Sequence, residues 1–463
     1  MKISIFVILI PFLFACNTSE SKTEGDRYSG YLEVPENRQN SNGKTIKLAY
    51  VVLKAENSES KKAPILYLQG GPGGATLVME PFWENNPLRY DHDIVLMDQR
   101  GTGQSEAMCD FLGNDLISVL AQDLTPEEEF ELSLKGVLEC KSQIEKQGID
   151  VTAYNSKENA ADFEDLRIEL GYKKWNIIGG SYGSRLGLTY MRDFPNGVRA
   201  SILAGLFPPE VDMYTNLISN FKQSLYRVFE TCENDEDCNK RYPEIKDQFL
   251  NAMSQVQEKP LVFSFRGEPF TMNVQDMLLM MHQMLYNRQT IADIPAFISA
   301  VQNKNESVLQ RALQPAVAVS GLINMAMYMS VNANDELPFS GTEEFIQDLK
   351  NNPELPVAPA FFASDTELLK KWHGSRSAAI ENEAVVSDIP TFLVNGYFDP
   401  VTPTSNAVLT AKSLKNSYLT EFKKDGHSVF NPCFFSMCKQ FLDNPEQQPD
   451  FSCVQKERPI NWN

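Results

Sequence analysis

The chain has 463 residues, 42% hydrophobic and 22% charged, the balance of an ordinary globular protein with room for one large domain or a core domain carrying an insert. Its formal net charge of −19 argues against nucleic acid or an anionic membrane surface as a partner and predicts a soluble, self-repelling surface.

Met1-Lys2 is a minimal positive start, and residues 3–14 are apolar apart from Ser4 and Pro11. That run is shorter than the roughly 20 residues a membrane-spanning helix needs, so it reads as a secretory signal. Leu13-Phe14-Ala15-Cys16 resembles a bacterial lipoprotein signal, which implies removal of residues 1–15, lipidation of Cys16 and an exported chain anchored to a membrane, facing the periplasm or the cell surface. The alternative is cleavage nearby with Cys16 discarded. Residues 16–27, with the polar tract Asn17-Thr18-Ser19-Glu20-Ser21-Lys22-Thr23, suit a flexible tether. Export makes the seven later cysteines candidates for disulfides, and Cys232 and Cys238 flank an acidic turn as an easy local pair. Seven is odd, so one thiol is left over unless it pairs between chains. None has a neighbouring histidine, and cysteine catalysis is not expected.

Strand patterns open at 28–34 and 46–53, separated by a turn-rich stretch. Two short apolar runs follow, at 64–68 and 93–97. The first ends in Gln69-Gly70-Gly71-Pro72-Gly73-Gly74 and the second in Asp98-Gln99-Arg100-Gly101. Helical patterns cover 126–146 and 156–170, a strand covers 175–178, and another covers 199–206. This alternation predicts an α/β fold with a mostly parallel sheet over residues 28–206. Residues 207–386 then read as largely helical, with apolar spacing at 216–230, 243–257, 273–286 and 291–302. Met277, Met280, Met281 and Met284 stand on neighbouring helical turns, a pattern of core packing or of a cavity wall. Strand alternation resumes over 387–463, at 391–395 and 418–422. The core is thus split by a helical insert.

The most informative stretch is Gly179-Gly180-Ser181-Tyr182-Gly183, between the strand at 175–178 and a helical pattern from Ser184. Strand, glycine turn with serine, helix is the context of a nucleophile elbow, where side chains on the glycines would crowd the neighbouring elements. A serine hydroxyl needs a base oriented by a carboxylate. Of the four histidines, His427 lies just beyond the last predicted strand and Asp399 just beyond the one before; His92, His282 and His373 read as structural or surface residues. Asp425 is the rival carboxylate, close in sequence to His427. Oxyanion donors are expected from the N–H of Tyr182 and from the glycine loop, Gly71 with Gly70 as the alternative. That loop lacks the Lys-Ser or Lys-Thr of a phosphate loop. No His/Cys cluster has metal-ligand spacing, and no cofactor is expected.

Gln69-Gly70-Gly71-Pro72-Gly73, Asp98-Gln99-Arg100-Gly101, Gly180-Ser181-Tyr182-Gly183 and Asp399-Pro400-Val401-Thr402-Pro403 together resemble the α/β-hydrolase family of proline iminopeptidases, and more closely its secreted tripeptidyl-aminopeptidase-like branch. The resemblance covers nearly all of the chain after the signal. It implies the α/β-hydrolase fold, a central sheet with helices on both faces and a helical cap inserted after the strand that follows the elbow. It implies pairing of Cys109 with Cys140, Cys232 with Cys238 and Cys433 with Cys453, leaving Cys438 free. It implies a serine exopeptidase acting on peptide substrates with a free N-terminus, releasing one to three residues, with Ser181, His427 and Asp399 as the triad. An acidic residue would read the substrate's ammonium, and Glu210 is the candidate; Arg100 braces its loop. An esterase on the same scaffold and a non-catalytic peptide-binding lipoprotein are the rival readings.

Overall fold

The computed structural model describes residues 22–463 apart from 41–42, 341, 361, 363–364 and 374–376. The expected signal, Cys16 and the start of the tether lie outside the described residues. The rest of that tether is not free chain: β1 (Lys22–Glu24) pairs antiparallel with β2 (Arg27–Pro35), filling the open edge of the sheet. The remaining sheet strands are β3 (Thr45–Leu53), β4 (Ile65–Leu68), β5 (Ile94–Met97), β6 (Trp175–Gly180), β7 (Val198–Ala204), β10 (Thr391–Gly396) and β11 (Ser417–Phe422). They form one nine-stranded sheet in the order β1-β2-β3-β5-β4-β6-β7-β10-β11. From β5 to β11 every neighbouring pair is parallel; β1 to β3 and the β3–β5 pairing are antiparallel.

Burial explains the sequence patterns. β2 alternates buried and exposed residues because only one of its faces is covered. β4 and β5 are continuously apolar because both faces are covered. Leu66, Leu68, Val95 and Met97 enter the core on one side, and Ile65, Tyr67, Ile94 and Leu96 the core on the other. The helix Pro126–Gln147 starts on a capping box of Thr125 and Glu128 and ends at Gly148 with φ +64°.

Between β7 and β10 lies the cap, built on the helices Leu217–Glu233, Ile245–Glu258, Val274–Met284, Ile294–Asn303, Glu306–Leu322 and Met325–Asp335. It is not wholly helical. β8 (Leu261–Phe265) and β9 (Glu268–Met272) make an antiparallel hairpin whose two turn residues, Arg266 and Gly267, both take positive φ. Strands of five residues between helices leave too short a period to separate from helix by pattern. The four methionines at 277, 280, 281 and 284 are buried in the core of the cap.

Among the described residues there are three disulfides, Cys109–Cys140, Cys232–Cys238 and Cys433–Cys453, and Cys438 is free and buried. Such a set belongs to a chain that folds in an oxidising, exported compartment. Among the described residues no helix is long and apolar enough to cross a membrane.

Arg100 carries a heavy polar load in the core. It is fully buried, holds Asp162 through Nε at 2.8 Å and Nη2 at 2.7 Å, and donates to the carbonyls of Glu36 and Ala153. It braces the loop after β5 against three separate segments. Arg100→Ala should cost about 3–5 kcal/mol, because Asp162 and two carbonyls lose a buried donor. The urea midpoint measures this, and an unchanged midpoint would refute it.

Candidate active site

The turn from β6 into the helix Tyr182–Asp193 forces Ser181 to φ 56° and ψ −129°, a conformation that side chains rarely adopt. Backbone crowding holds it there. A Cβ on Gly179 would stand 2.3 Å from the Gly183 carbonyl oxygen, and one on Gly183 would stand 2.1 Å from that of Leu68. A Cβ on Gly180 would meet no described heavy atom nearer than 3.6 Å. The two glycines of Gly-x-Ser-x-Gly are therefore sterically required and Gly180 is not. The Ser181 amide donates to Ala204 at 2.9 Å, tying the elbow to the end of β7.

The glycine loop after β4 passes directly over the serine. A Cβ on Gly70 would lie 2.9 Å from the Gly180 oxygen and 3.0 Å from Ser181 Cβ, so only glycine permits this approach. Side chains missed by sequence reasoning hold the loop. Gln99 Nε2 donates to the Gln69 carbonyl at 2.9 Å. Asn159 Nδ2 donates to Gln99 Oε1 and to the Tyr182 hydroxyl, each at 3.3 Å. Asp98 accepts from the amides of Thr76, Leu77 and Gln104 at 2.6 to 2.8 Å. The run Asp98-Gln99-Arg100-Gly101 was the one sequence signal for this scaffold.

Asp399 and His427 stand in the loops after β10 and β11, at the same sheet edge as Ser181. His427 Nδ1 is 2.8 Å from Asp399 Oδ2. Asp399 is fully buried and also accepts from Thr402 Oγ1 at 2.6 Å and from the amides of Val401 and Thr402 at 2.9 and 2.8 Å. Burial alone would raise its pKa, but His427 and the Thr402 hydroxyl and amide outweigh it and hold the carboxyl below its usual range. Asp425, the rival, accepts from Asn431 Nδ2 at 2.6 Å instead. The cap supports the histidine: the Tyr286 ring lies 4.7 Å from the His427 ring, and the amides of His427 and Ser428 donate to Leu285 and Tyr286.

Ser181 and His427 line one cavity of about 310 Å³ together with Gly70 and Gly71. The Tyr182 amide opens the helix beside it. The cap supplies the facing wall, including Leu279, Val319, Met325 and Phe362. Among the described lining residues there is no Asp, Glu, Lys or Arg. Glu210 is not on that wall; it lies on the loop after β7, three residues before the lining residue Met213, with a buried Oε2 that has no partner. Among the described residues no group of three or more His, Cys, Asp or Glu side chains could hold a metal ion.

The other histidines lie off the cavity wall. His92 Nδ1 meets the Ala63 carbonyl at 2.7 Å, and His373 sits beside the Ser330 carbonyl. His282 is fully buried in the cap behind Tyr286, their rings 5.8 Å apart.

The profile of the alpha/beta hydrolase fold family matches residues 63–431, well over half of the chain, and the chain belongs to that family. Among curated proteins it is similar to the proline iminopeptidase of Xanthomonas citri, 23% identical over 80% of this chain and 84% of that protein. It is equally similar to serine protease Hip1 of Mycobacterium tuberculosis, 23% identical over 89% of this chain and 84% of that protein. The tripeptidyl aminopeptidase of Streptomyces lividans is 28% identical over 40% of this chain and 36% of that protein.

Burial drives the pKa of His282 down to about 3, and the neighbouring His427 adds to the shift. Above the unfolded value of about 6.5 both states hold the ring neutral and stability is complete. As pH falls below it, the unfolded chain takes up a proton that the folded chain refuses, and roughly 1.4 kcal/mol is lost per pH unit. Between pH 6.5 and 4.5 the parent should lose about 2–3 kcal/mol more than His282→Leu. Urea midpoints at the two pH values test this; equal losses would rule it out.

Proposed function

We propose that this alpha/beta hydrolase is a serine exopeptidase that releases one to three residues from peptides with a free N-terminus, through an acyl-enzyme. The carrying observation is the 2.8 Å His427–Asp399 hydrogen bond on the cavity that also holds the strained Ser181. With Nδ1 committed to Asp399, Nε2 is the ring nitrogen free to take the Ser181 proton as Oγ attacks the scissile carbonyl. Asp399, kept ionised, stabilises the imidazolium. The N–H groups of Tyr182 and Gly71, with Gly70 as the alternative, bind the developing oxyanion. His427 then gives its proton to the leaving amine, and water repeats the sequence to free the acyl group.

The names of the relatives, proline iminopeptidase and tripeptidyl aminopeptidase, support the choice of a peptide N-terminus. Glu210, on the loop after β7 three residues before the lining residue Met213, is the candidate acceptor of the substrate ammonium. Three disulfides support export; lipidation of Cys16 rests on the signal-like sequence before it. A carboxylesterase is the second reading, favoured by a cavity wall without charged side chains.

Chromogenic amides with free and with acetylated N-termini, beside short-chain esters, separate the two readings. Release from free N-termini only, lost in Ser181→Ala, is the expected result; indifference to acetylation, or hydrolysis of esters alone, would refute the exopeptidase. Asp399→Asn should lower kcat by about 10⁴-fold without unfolding the chain, since the imidazole then holds the wrong tautomer. Glu210→Gln should raise KM for free-N-terminal amides at least about tenfold and leave ester hydrolysis unchanged, the mark of a lost ammonium contact. An unchanged KM removes Glu210 from the site.

A further inference from the structure

The cavity has two unlike walls. The core wall carries the reactive groups: Ser181, His427 and the glycine loop. The cap wall is aliphatic and aromatic apart from the Gln283 amide, and no described residue on either wall bears a carboxylate, ammonium or guanidinium group. The two walls are joined. The Asn324 amide donates to the Gly73 carbonyl at 2.9 Å and the Ala75 amide to Leu322 at 3.4 Å, so the end of the cap helix Glu306–Leu322 is bridged to the glycine loop. Whatever enters beside Ser181 is therefore pressed against apolar cap side chains.

The cavity beside Ser181, about 310 Å³, has room for a large side chain.

We infer that this cavity selects substrates whose residue before the scissile bond has a large, uncharged, apolar side chain, and that it rejects Lys, Arg, Asp and Glu there. The inference rests on Ser181 as the nucleophile. Its physical basis is the contrast between the two outcomes of burial. An apolar side chain gains about fourfold in binding per methylene removed from water. A charged one loses its hydration and meets no counter-charge on either wall.

The test measures kcat/KM for p-nitroanilides with Leu, Met, Phe, Ala, Lys and Glu before the scissile bond, as single residues and at the end of tripeptides, together with p-nitrophenyl esters of matched acyl groups. Leu, Met and Phe should exceed Ala by at least about tenfold and Lys and Glu by at least about 100-fold. Val319→Asp places one carboxylate on the half-buried cap wall, and should shift the Lys-to-Leu ratio about tenfold toward Lys. Val319→Asn, its neutral counterpart, should leave that ratio unchanged. Equal rates on Lys and Leu substrates in the parent would overturn the inference. Equal shifts in the Asp and Asn variants would overturn it too. Apolar preference on esters with no amide hydrolysis would uphold the inference while refuting the exopeptidase; activity that survives Ser181→Ala would overturn both.

Discussion

Three pieces of backbone meet where β6 turns into its helix, and the distance between them governs the rest of the site. The Leu68 carbonyl at the end of β4 comes so close to Gly183 that a Cβ there would sit 2.1 Å from its oxygen. That contact leaves the chain one way to turn, with Ser181 at positive φ and its side chain over the sheet edge. It also brings the glycine loop, which continues β4, against Ser181. Ser181 and the glycine loop are thus placed by one packing constraint between main chains, which no side-chain repacking could loosen.

Around that point the core uses buried hydrogen bonds rather than apolar contact. Tyr182, Asn159 and Gln99 form a chain from the first residue of the elbow helix to the Gln69 carbonyl. Asp98 gathers three amides of the adjoining loops, and Arg100 ties the same segment to the rest of the core. These bonds tie separate segments together, so the loops hold one arrangement relative to Ser181. Asp399 is treated alike: its four acceptor contacts keep it ionised in a fully buried place.

The cap is more than a cover. It contacts the glycine loop through Asn324 and Leu322, and it contacts the His427 loop through the carbonyls of Leu285 and Tyr286. A shift of the cap would therefore disturb the glycine loop and His427 together. The same cap elements carry the apolar wall, so recognition of the substrate and alignment of the reactive groups share their support.

How much of this was legible beforehand follows from the range of each interaction. Strand and helix periods, the glycines around Ser181, and the positions of Asp399 and His427 just after strands are local facts, and they carried the α/β fold, the split by an insert and the residues that meet at the sheet edge. The hairpin β8–β9 was hidden because five-residue strands do not distinguish the two periods. The pairing of residues 22–24 with β2 was hidden because polar edge strands carry no apolar signal. Asn159 acts on Gln99 from 60 residues away and no local pattern marks it, while Gln99 and Thr402 stand in motifs whose sequence does not name their partners. The acid expected to read the substrate ammonium shows the limit most clearly. Composition supplies 61 acidic residues, but only the packing of the cap decides which of them faces the substrate, and Glu210 lies off the cavity wall. Sequence by itself determined the chemistry available, because reactive groups and turn glycines are read one position at a time. The tertiary structure decided the shape and charge of the space around them, because a cavity is lined by residues from many segments and belongs to none of them.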